Sequence, residues 1–230
     1  MMITSILPVR EAIGRLALFH GLSAEALEKV AQASRFRQIP KGSLIFFQND
    51  PAEALYIVLW GSVSILLTSP NGRELVIREV REGDFFGETA LILKKPRSAA
   101  AVAREKCELM ILPAAVFHEV LAGELAFALN LLRGISEQFY LGAERESALA
   151  FLDAPARLAR VLLQLDQQAE NSGSIAISQE ELARRTGLSR QTAAKFLGRW
   201  RRAGWLVTGR GRIVLLNHAA LQEIERRSLG

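Results

Sequence analysis

The hydrophobic period of the chain changes at Pro113, and this change limits the folds that the chain can adopt. Before it, short apolar stretches recur at even intervals between turn residues, which is typical of an antiparallel barrel or sandwich. These stretches are LIFF from residue 44, ALYIVLW from 54, SVSILL from 62, ELVIREV from 74, AAAVA from 99 and ELMIL from 108. After it, residues 114–152 contain no proline and are rich in helix formers, so a long helix is predicted.

Eight residues of this predicted helix are spaced alternately by three and four, as in the seam of a coiled coil. They are Leu125, Ala128, Leu132, Ile135, Phe139, Gly142, Glu146 and Leu149. A helix that packs only on its own domain would also be apolar on one face. The length of the helix, and its place between a β-rich and a basic segment, favour a dimer interface.

The chain ends in a basic segment. Residues 154–230 contain 13 Arg or Lys and 6 Asp or Glu, a net charge of +7, whereas residues 1–153 contain 16 and 18, a net charge of −2. A basic C-terminal part next to a nearly neutral N-terminal part favours a polyanionic partner, most often nucleic acid.

Membrane insertion and secretion are not expected. Residues 54–72 carry no charge and approach the length of a membrane helix. Turn residues interrupt them, and β-branched and aromatic residues predominate, so two strands explain them better. The start MMITSILPVREAIGR has no long apolar run after a basic segment, so we expect no signal peptide.

Metal centres and disulfides are not expected either. The chain has one cysteine, Cys107, which cannot form an intrachain disulfide or a cysteine cluster for a metal, and which we expect to be buried. The three histidines, His20, His118 and His218, are expected at the surface or at helix ends. A single cysteine suits a reducing cytoplasm.

The most specific pattern is SQEELARRTGLSRQTAAKFLGRWRR, from residue 178. Ser178 and Glu181 form a capping box at the start of a short helix, and Gly187 suits a tight turn. Ser189 then caps a second helix, residues 190–203. This is the spacing of a helix-turn-helix, and the strands WLVT and IVLL that follow predict a wing.

The N-terminal turns of the second helix carry side chains that can read base edges. Arg190 and Lys195 can donate to guanine, and Gln191 can pair with adenine. Arg210 and Arg212 lie on the predicted wing, where they can contact phosphates. The residues assigned to DNA are Ser178, Ser189, Arg190, Gln191, Thr192, Lys195, Arg210 and Arg212. For each arginine the alternative is a solvated surface charge.

The stretch FFGETALILKKPRSAAAV, residues 85–102, is apolar enough to be buried but contains Glu88 and Arg97. A buried charge is costly unless it has a partner. The two side chains therefore face each other, solvent or a ligand.

These motifs resemble those of the CRP/FNR family of bacterial transcription regulators over nearly the whole chain. The matching stretches are LFHGLSAEAL, KGSLIFFQND, ALYIVLWGSV, GDFFGETAL, PRSA, LAFLDAPARLAR and LSRQTAAKFL. The resemblance implies an α+β fold with an antiparallel, cyclic-nucleotide-binding β-roll in residues 1–113, a dimerisation helix and hinge in 114–153, and a winged helix-turn-helix in 154–230. Asn49 replaces a usual glycine, but asparagine tolerates the same left-handed conformation.

The resemblance also implies a phosphate-binding cassette. In it, Glu88 accepts a hydrogen bond from a ribose hydroxyl, Arg97 pairs with a cyclic phosphate, and helical N–H groups face that phosphate. The assigned ligand residues are Gly87, Glu88, Thr89, Ala90, Arg97, Ser98, Gly142 and Ala143. In cyclic-AMP-responsive members a Thr-Ser pair contacts the adenine, whereas this chain has Gly142 and Ala143 there. Base recognition then either uses other groups, such as Glu144, Arg145 or the backbone, or is weak.

The sequence thus predicts a cytoplasmic, homodimeric, sequence-specific DNA-binding regulator. It would bind two-fold symmetric double-stranded DNA under the control of a cyclic nucleotide, with cyclic AMP as the first candidate effector and cyclic GMP the second. RNA polymerase is a further expected partner. The alternative is a constitutive regulator, or one with another ligand such as a cyclic dinucleotide. An enzyme is disfavoured, because no nucleophile–base constellation appears and the winged helix uses the last eighty or so residues.

Overall fold

The protein is described by a computed structural model that covers residues 6–69, 71–72 and 74–228, without the side chains of residues 6–9, 144 and 145. The chain forms two compact units. The first contains the residues up to 67 together with 77–140, and the second contains 68–76 together with the residues from 141 onwards. The long helix α5, defined below, contributes to both units.

The first half of the chain forms strands flanked by helices. In chain order the elements are α1 (Ile6–Gly14), a 3-10 turn (Ala17–Phe19), α2 (Ala24–Ala33), β1 (Arg35–Ile39), β2 (Leu44–Phe46), β3 (Ala54–Trp60), β4 (Val63–Thr68), β5 (Glu74–Val80), β6 (Phe85–Phe86), α3 (Glu88–Leu93), β7 (Ala100–Ala103), β8 (Cys107–Pro113), α4 (Ala114–Gly123) and α5 (Leu125–Phe151). Two antiparallel sheets result, with strand orders β1-β8-β3-β6 and β2-β7-β4-β5. All six predicted apolar stretches form strands, which confirms the antiparallel fold class.

Two strands were not predicted from the sequence. β1 has the sequence RFRQI and lies at a sheet edge, where three of its five side chains are exposed, so it has no apolar run to reveal it. β6 is only two residues long and pairs with β3 through Phe85 opposite Ile57. Its position matters because it leads directly into α3.

Residues 54–72 contain β3 and β4, as predicted, rather than a helix. Within the described ranges, no single helix is long and apolar enough to cross a membrane. Taken together, α4 and α5 have the length and composition of a membrane span, but the pair is bent by 110°. The expectation of no signal peptide rests partly on residues 1–5, which lie outside the described part of the chain.

The predicted helix over residues 114–152 is divided into α4 and α5, which corrects the expectation of one helix. The break falls at Glu124, whose backbone is extended. Its carboxylate accepts hydrogen bonds from the hydroxyl and the backbone N–H of Ser23, the N-cap residue of α2. Phe117 and Val120 bury α4 in the same core that receives the start of α5.

α5 has two apolar faces. Phe127 and Leu131 are buried in the core of the first unit. Of the predicted seam, Ile135 packs against this core, whereas Leu132 and Phe139 are 60% and 78% exposed. The chain by itself therefore leaves a row of large apolar side chains in solvent along this helix.

The second unit is a small helical domain with a three-stranded sheet. Its elements are α6 (Ala154–Gln168), β9 (Ser174–Ile175), α7 (Gln179–Thr186), α8 (Arg190–Arg202), β10 (Leu206–Gly209), β11 (Arg212–Leu215) and α9 (His218–Arg227), and the sheet order is β10-β11-β9. Asp153 caps α6 by accepting the N–H of Ala156, and a proline occupies its first turn. The predicted helices and wing strands are confirmed.

A buried carboxylate anchors the wing sheet. Asp166 is 1% exposed, and its two oxygens meet the N–H of Gly173 at 2.7 Å and Nε2 of His218 at 2.7 Å. Gly173 precedes β9, and His218 follows β11, so this one side chain ties the end of α6 to both sides of the sheet. His218 is at a helix end, as expected, but its buried partner was not foreseen.

Gly134 allows α5 to lie directly on β6. A Cβ atom at this position would come within 2.5 Å of the Phe85 ring, closer than carbon atoms can approach. On the same helix, the described part of the chain places no atom within 4 Å of a Cβ at Gly142. The glycine at 134 is thus required by packing, whereas the one at 142 is not required within this chain.

We expect opposite effects from the same substitution at these two positions. Gly134→Ala should lower the free energy of unfolding by about 1–3 kcal/mol, because the Phe85 ring must be displaced. Gly142→Ala should raise it by about 0.5–1 kcal/mol, because alanine favours the helix. Urea unfolding followed by circular dichroism measures both, and equal effects at the two sites would contradict the close contact.

Candidate functional site

The segment that carries Glu88 and Arg97 forms a tight turn from β6 into α3. Gly87 is the N-cap of α3, with φ of 88°, a conformation that favours glycine. A Cβ here would lie 2.6 Å from Nη1 of Arg97. Gly87 therefore allows the guanidinium to approach the backbone, as the resemblance implied.

The Arg97 guanidinium is 2% exposed and is held by backbone carbonyls. Its Nη1 donates to the carbonyl of Gly87 and its Nη2 to that of Ala54, each at 2.7 Å. The guanidinium carbon lies 4.4 Å from the ring centroid of Phe46, a cation–π contact. Burial lowers the pKa of Arg97, and Tyr56, among others, opposes this shift by favouring the charged form.

Glu88 is also buried, at 4% exposure, but it does not pair directly with Arg97. Its Oε1 accepts a hydrogen bond from the Thr89 hydroxyl at 3.0 Å. Among the described residues, its Oε2 and the Nε of Arg97 are buried without a hydrogen-bond partner. The alternative in which the two side chains satisfy each other is therefore not the arrangement observed.

Two loops are tied together around the Arg97 backbone. The N–H of Asn49 donates to the carbonyl of Arg97 at 2.8 Å, and the N–H of Arg97 donates to the carbonyl of Asp50 at 2.9 Å. Asn49 has φ of 71°, the left-handed conformation expected for this replacement of glycine. These bonds fix the segment from which Arg97 projects.

The other assigned ligand residues differ in accessibility. Ala90 is buried in α3, whereas Thr89 and Ser98 are exposed beside the two buried charges. Gly142 and Ala143 lie on the part of α5 that belongs to the second unit. The side chains of Glu144 and Arg145, named as alternatives for base recognition, lie outside the described part of the structure.

An aromatic cluster supports Arg97, and the sequence analysis did not assign it. The rings of Phe46, Tyr56 and Phe86 are in mutual contact, with centroids 5.1–5.9 Å apart. The guanidinium carbon of Arg97 also lies 5.5 Å from the Tyr56 centroid. The sequence signal was the aromatic residues of KGSLIFFQND and ALYIVLW, which were read only as strand formers.

The caps of the helix-turn-helix are formed as predicted. The Ser178 hydroxyl accepts the N–H of Glu181 at 3.1 Å, and the Ser189 hydroxyl accepts the N–H of Thr192 at 3.0 Å. Gly187, with φ of 66°, ends α7. Both assigned serines thus use their hydroxyl groups to fix the start of a helix.

α8 presents one basic, exposed face. Arg190, Gln191 and Lys195 are exposed, while Ala193, Leu197 and Trp200 are buried in the core of the second unit. Arg199 is exposed one turn beyond Lys195 and extends this face. Its position could have been found from its i+4 spacing in the sequence.

The wing differs in one detail from the expectation. Arg210 is exposed in the turn between β10 and β11. Arg212, however, donates from Nε to the hydroxyl of Ser174 on β9 at 2.7 Å. A phosphate contact by Arg212 would thus use its other N–H groups or compete with this bond.

The residues that could hold a metal are dispersed. Cys107 is buried, as expected, and burial raises the pKa of its thiol. Within the described ranges, no three His, Cys, Asp or Glu side chains cluster so that they could bind a metal ion.

Comparisons with known proteins match both parts of the chain. A family model described as "Cyclic nucleotide-binding domain" matches residues 36–124, and one described as "Crp-like helix-turn-helix domain" matches residues 156–224. The chain belongs to the CRP/FNR family of bacterial transcription regulators. It is a DNA-binding regulator with a cyclic nucleotide-binding domain and a helix-turn-helix domain.

Several relatives of the regulator have named effectors. The cyclic AMP receptor protein of Thermus thermophilus is 33% identical over 211 residues, covering 90% of this chain and 95% of the relative. The cAMP-activated global transcriptional regulator Vfr of Pseudomonas aeruginosa is 30% identical over 79% of this chain and 89% of its own length. The solved structure of the c-di-GMP-responsive regulator CLP of Xanthomonas campestris has a TM-score of 0.74 and 29% identity, covering 84% of this chain and 99% of that one.

The support of Arg97 by Phe46 can be tested with the adjacent phenylalanine as control. Phe46→Leu should lower the free energy of unfolding of the regulator by about 1–3 kcal/mol, because it removes the cation–π contact and two ring contacts. Phe47 is 63% exposed, so Phe47→Leu should change the free energy of unfolding by no more than about 0.5 kcal/mol. Urea unfolding compares the two, and equal stability would show that the ring contact with Arg97 contributes little.

Proposed function

We propose that this regulator binds a cyclic nucleotide in the segment between Gly87 and Ser98, and that the ligand controls its binding to DNA as a homodimer. One observation carries the proposal. Oε2 of Glu88 and Nε of Arg97 are buried, and they lack hydrogen-bond partners among the described residues. Such atoms are costly to leave unsatisfied, so a ligand that supplies partners gains affinity from them.

The chemistry of the two groups suits a cyclic nucleotide. A carboxylate oxygen can accept a hydrogen bond from a ribose hydroxyl, and a guanidinium can donate to phosphate oxygens. The exposed hydroxyls of Thr89 and Ser98 lie next to them in sequence. The named relatives make cyclic AMP the first effector to test, and cyclic GMP the second.

The uncovered face of α5 supports a homodimer. Leu125, Leu132 and Phe139 are 60–78% exposed and follow the heptad spacing of a two-stranded coiled coil. A dimer pairs two copies of the exposed face of α8, as a two-fold symmetric DNA site requires. Sedimentation equilibrium of the purified chain measures this, and a monomeric mass at micromolar concentration would contradict it.

A clamp within the second unit offers a route from α5 to the DNA-binding helices. Arg157 donates from Nη1 to the carbonyl of Leu152 at 2.9 Å and from Nε to that of Thr186 at 3.2 Å. These carbonyls lie next to the C-terminal end of α5 and at the end of α7. A ligand that favours one arrangement of the paired α5 helices would thereby favour one orientation of α7 and α8.

The remaining parts of the proposed function concern its setting. We place the regulator in the cytoplasm, where DNA and a single reduced cysteine are compatible, with RNA polymerase as a further partner. We propose no catalytic activity, since its relatives are transcription regulators and both parts of the chain have binding roles.

Calorimetric titration of the nucleotide-stripped protein with cyclic AMP, and separately with cyclic GMP, tests the effector site. We expect micromolar binding of at least one of them. Arg97→Ala should weaken it by about 30-fold or more, since truncation of a buried charged partner typically costs about 2 kcal/mol or more.

Lys95→Ala is the matched control, because Lys95 is an exposed cation two residues from Arg97. It should leave the affinity within about threefold of the unmodified chain, as surface charges contribute little. If neither nucleotide binds to a folded chain that still binds DNA, the proposed effector class is wrong.

DNA binding can be divided into base reading and phosphate contact. The probe is the DNA duplex that binds most tightly among two-fold symmetric duplexes of randomised sequence. Arg190→Ala should relax the base preference at one base pair per half-site and weaken the binding free energy for this duplex by about 1–3 kcal/mol. Arg210→Ala should weaken all duplexes alike and reduce the slope of affinity against salt by about one per protomer. Fluorescence anisotropy over a salt series with single-base variants separates these effects.

Arg226→Ala provides the control for loss of a positive charge. The side chain of Arg226 is 79% exposed on α9 and pairs with Glu223. It should change neither the base preference nor the salt slope. Identical behaviour of Arg190→Ala and Arg210→Ala would show that α8 does not present its N-terminal turns to the bases.

A further inference from the structure

The strand β9 is too short to be held in the wing sheet by strand pairing alone. It has two residues, Ser174 and Ile175, and pairs with β11 at the edge of the sheet. Such short pairings are marginal in water. Ile175 packs in the core of the second unit, but the backbone that enters the strand needs a further partner.

Asp166 is that partner, and it fixes both sides of the wing sheet. Its Oδ1 accepts the N–H of Gly173, whose carbonyl in turn accepts the N–H of Leu215 on β11, each at 2.7 Å. Its Oδ2 lies 2.7 Å from Nε2 of His218, which follows β11 by three residues. A carboxylate accepts hydrogen bonds, so Nε2 is the donor in this pair. The entry to β9 and the exit from β11 are thus tied to one side chain.

His218 is itself held in place, because it begins a helix that is fixed along α6. Within α9, Glu225 pairs with Arg160 of α6 at 3.3 Å. Just beyond α9, the hydroxyl of Ser228 accepts the N–H of Asp153, the N-cap of α6, at 2.9 Å. α9 therefore runs antiparallel to α6 and is tied to it at both ends.

The strands fixed in this way carry the arginines assigned to phosphates. Arg212 begins β11, and its Nε donates to the hydroxyl of Ser174 on β9 at 2.7 Å. Arg210 is exposed in the turn that precedes β11. A displacement of β9 would release the Arg212 side chain, and a displacement of β11 would move both arginines.

We propose that His218 is a positioning residue for DNA binding, which holds the wing through Asp166 so that Arg210 and Arg212 meet the phosphates. The inference rests on the proposed phosphate contacts of the wing and adds a residue that acts without touching DNA. A wing that is fixed before DNA arrives loses less conformational entropy on binding. Without the hydrogen bond to Asp166, the two arginines remain, but the wing is ordered only when DNA binds.

Fluorescence anisotropy of the full chain, with the same duplex and salt series, measures the effect. His218→Asn should weaken DNA binding by about three- to tenfold and reduce the salt slope by about one per protomer, because the shorter amide cannot reach Asp166. His218→Gln places an amide nitrogen near the position of Nε2 and should restore most of the loss. Ser228→Ala, the matched control at the other end of α9, should leave affinity and slope unchanged.

A double-mutant cycle separates this role from a general loss of stability. His218→Asn is introduced into a chain with Arg210→Ala and Arg212→Ala, and separately into a chain with Arg190→Ala. It should change the affinity by less than about twofold in the first chain and by its full amount in the second. Equal weakening in both would show a general loss of folded protein and would overturn the inference. His218→Ala, which also lacks the donor, takes the place of His218→Asn if the latter does not fold.

The proposed phosphate contacts and the role of His218 fail in different ways. If the chain without both wing arginines binds DNA as the unmodified chain does at every salt concentration, the wing contacts no phosphate, and the inference falls with it. If that chain binds more weakly but the folded His218 variant binds like the unmodified chain, only the role of His218 is wrong.

Discussion

The Arg97 guanidinium, held over the Phe46 ring by the carbonyls of Gly87 and Ala54, is the interaction on which the ligand segment depends. It joins three parts of the fold, because Phe46 ends β2, Ala54 begins β3 and Gly87 precedes α3. A charge that is fixed by neutral carbonyls keeps its attraction for an anion, whereas a charge neutralised by Glu88 would lose much of it. The fold therefore positions the cation and leaves its charge available.

The same region is in contact with the helix that would form the dimer. Phe85 lies two residues before Gly87, and its ring rests on α5 at Gly134. Packed interiors transmit small shifts because they are dense. α5 then continues into the second unit, where Arg157 links its end to α7. Within each unit, side-chain contacts thus link α5 to its neighbouring elements.

The sequence predicted most of the fold because its signals were local. The strands were predicted from short apolar runs between turn residues. The helix-turn-helix was predicted from the serine caps at 178 and 189 and the turn glycine between the helices. What it missed depended on contacts between distant residues. The break at Glu124 depends on Ser23, the role of Asp166 on His218 and Gly173, and the support of Arg97 on Phe46 and Ala54.

The candidate site divides in the same way. Glu88 and Arg97 were found because charges in an apolar run require an explanation. Phe46 and Tyr56, whose rings lie against Arg97, were not found, because their apolar runs indicated only strands.

The contact between Gly134 and Phe85 has a consequence for how the sequence can change. A side chain at 134 and a large ring at 85 compete for the same volume, so neither position is free to vary alone. A smaller residue at 85 would make room for alanine at 134, and the helix would be more stable because alanine has a higher helix propensity than glycine. In the evolution of such chains, the two positions should therefore be inherited as a compensating pair, with a glycine retained wherever the ring is retained.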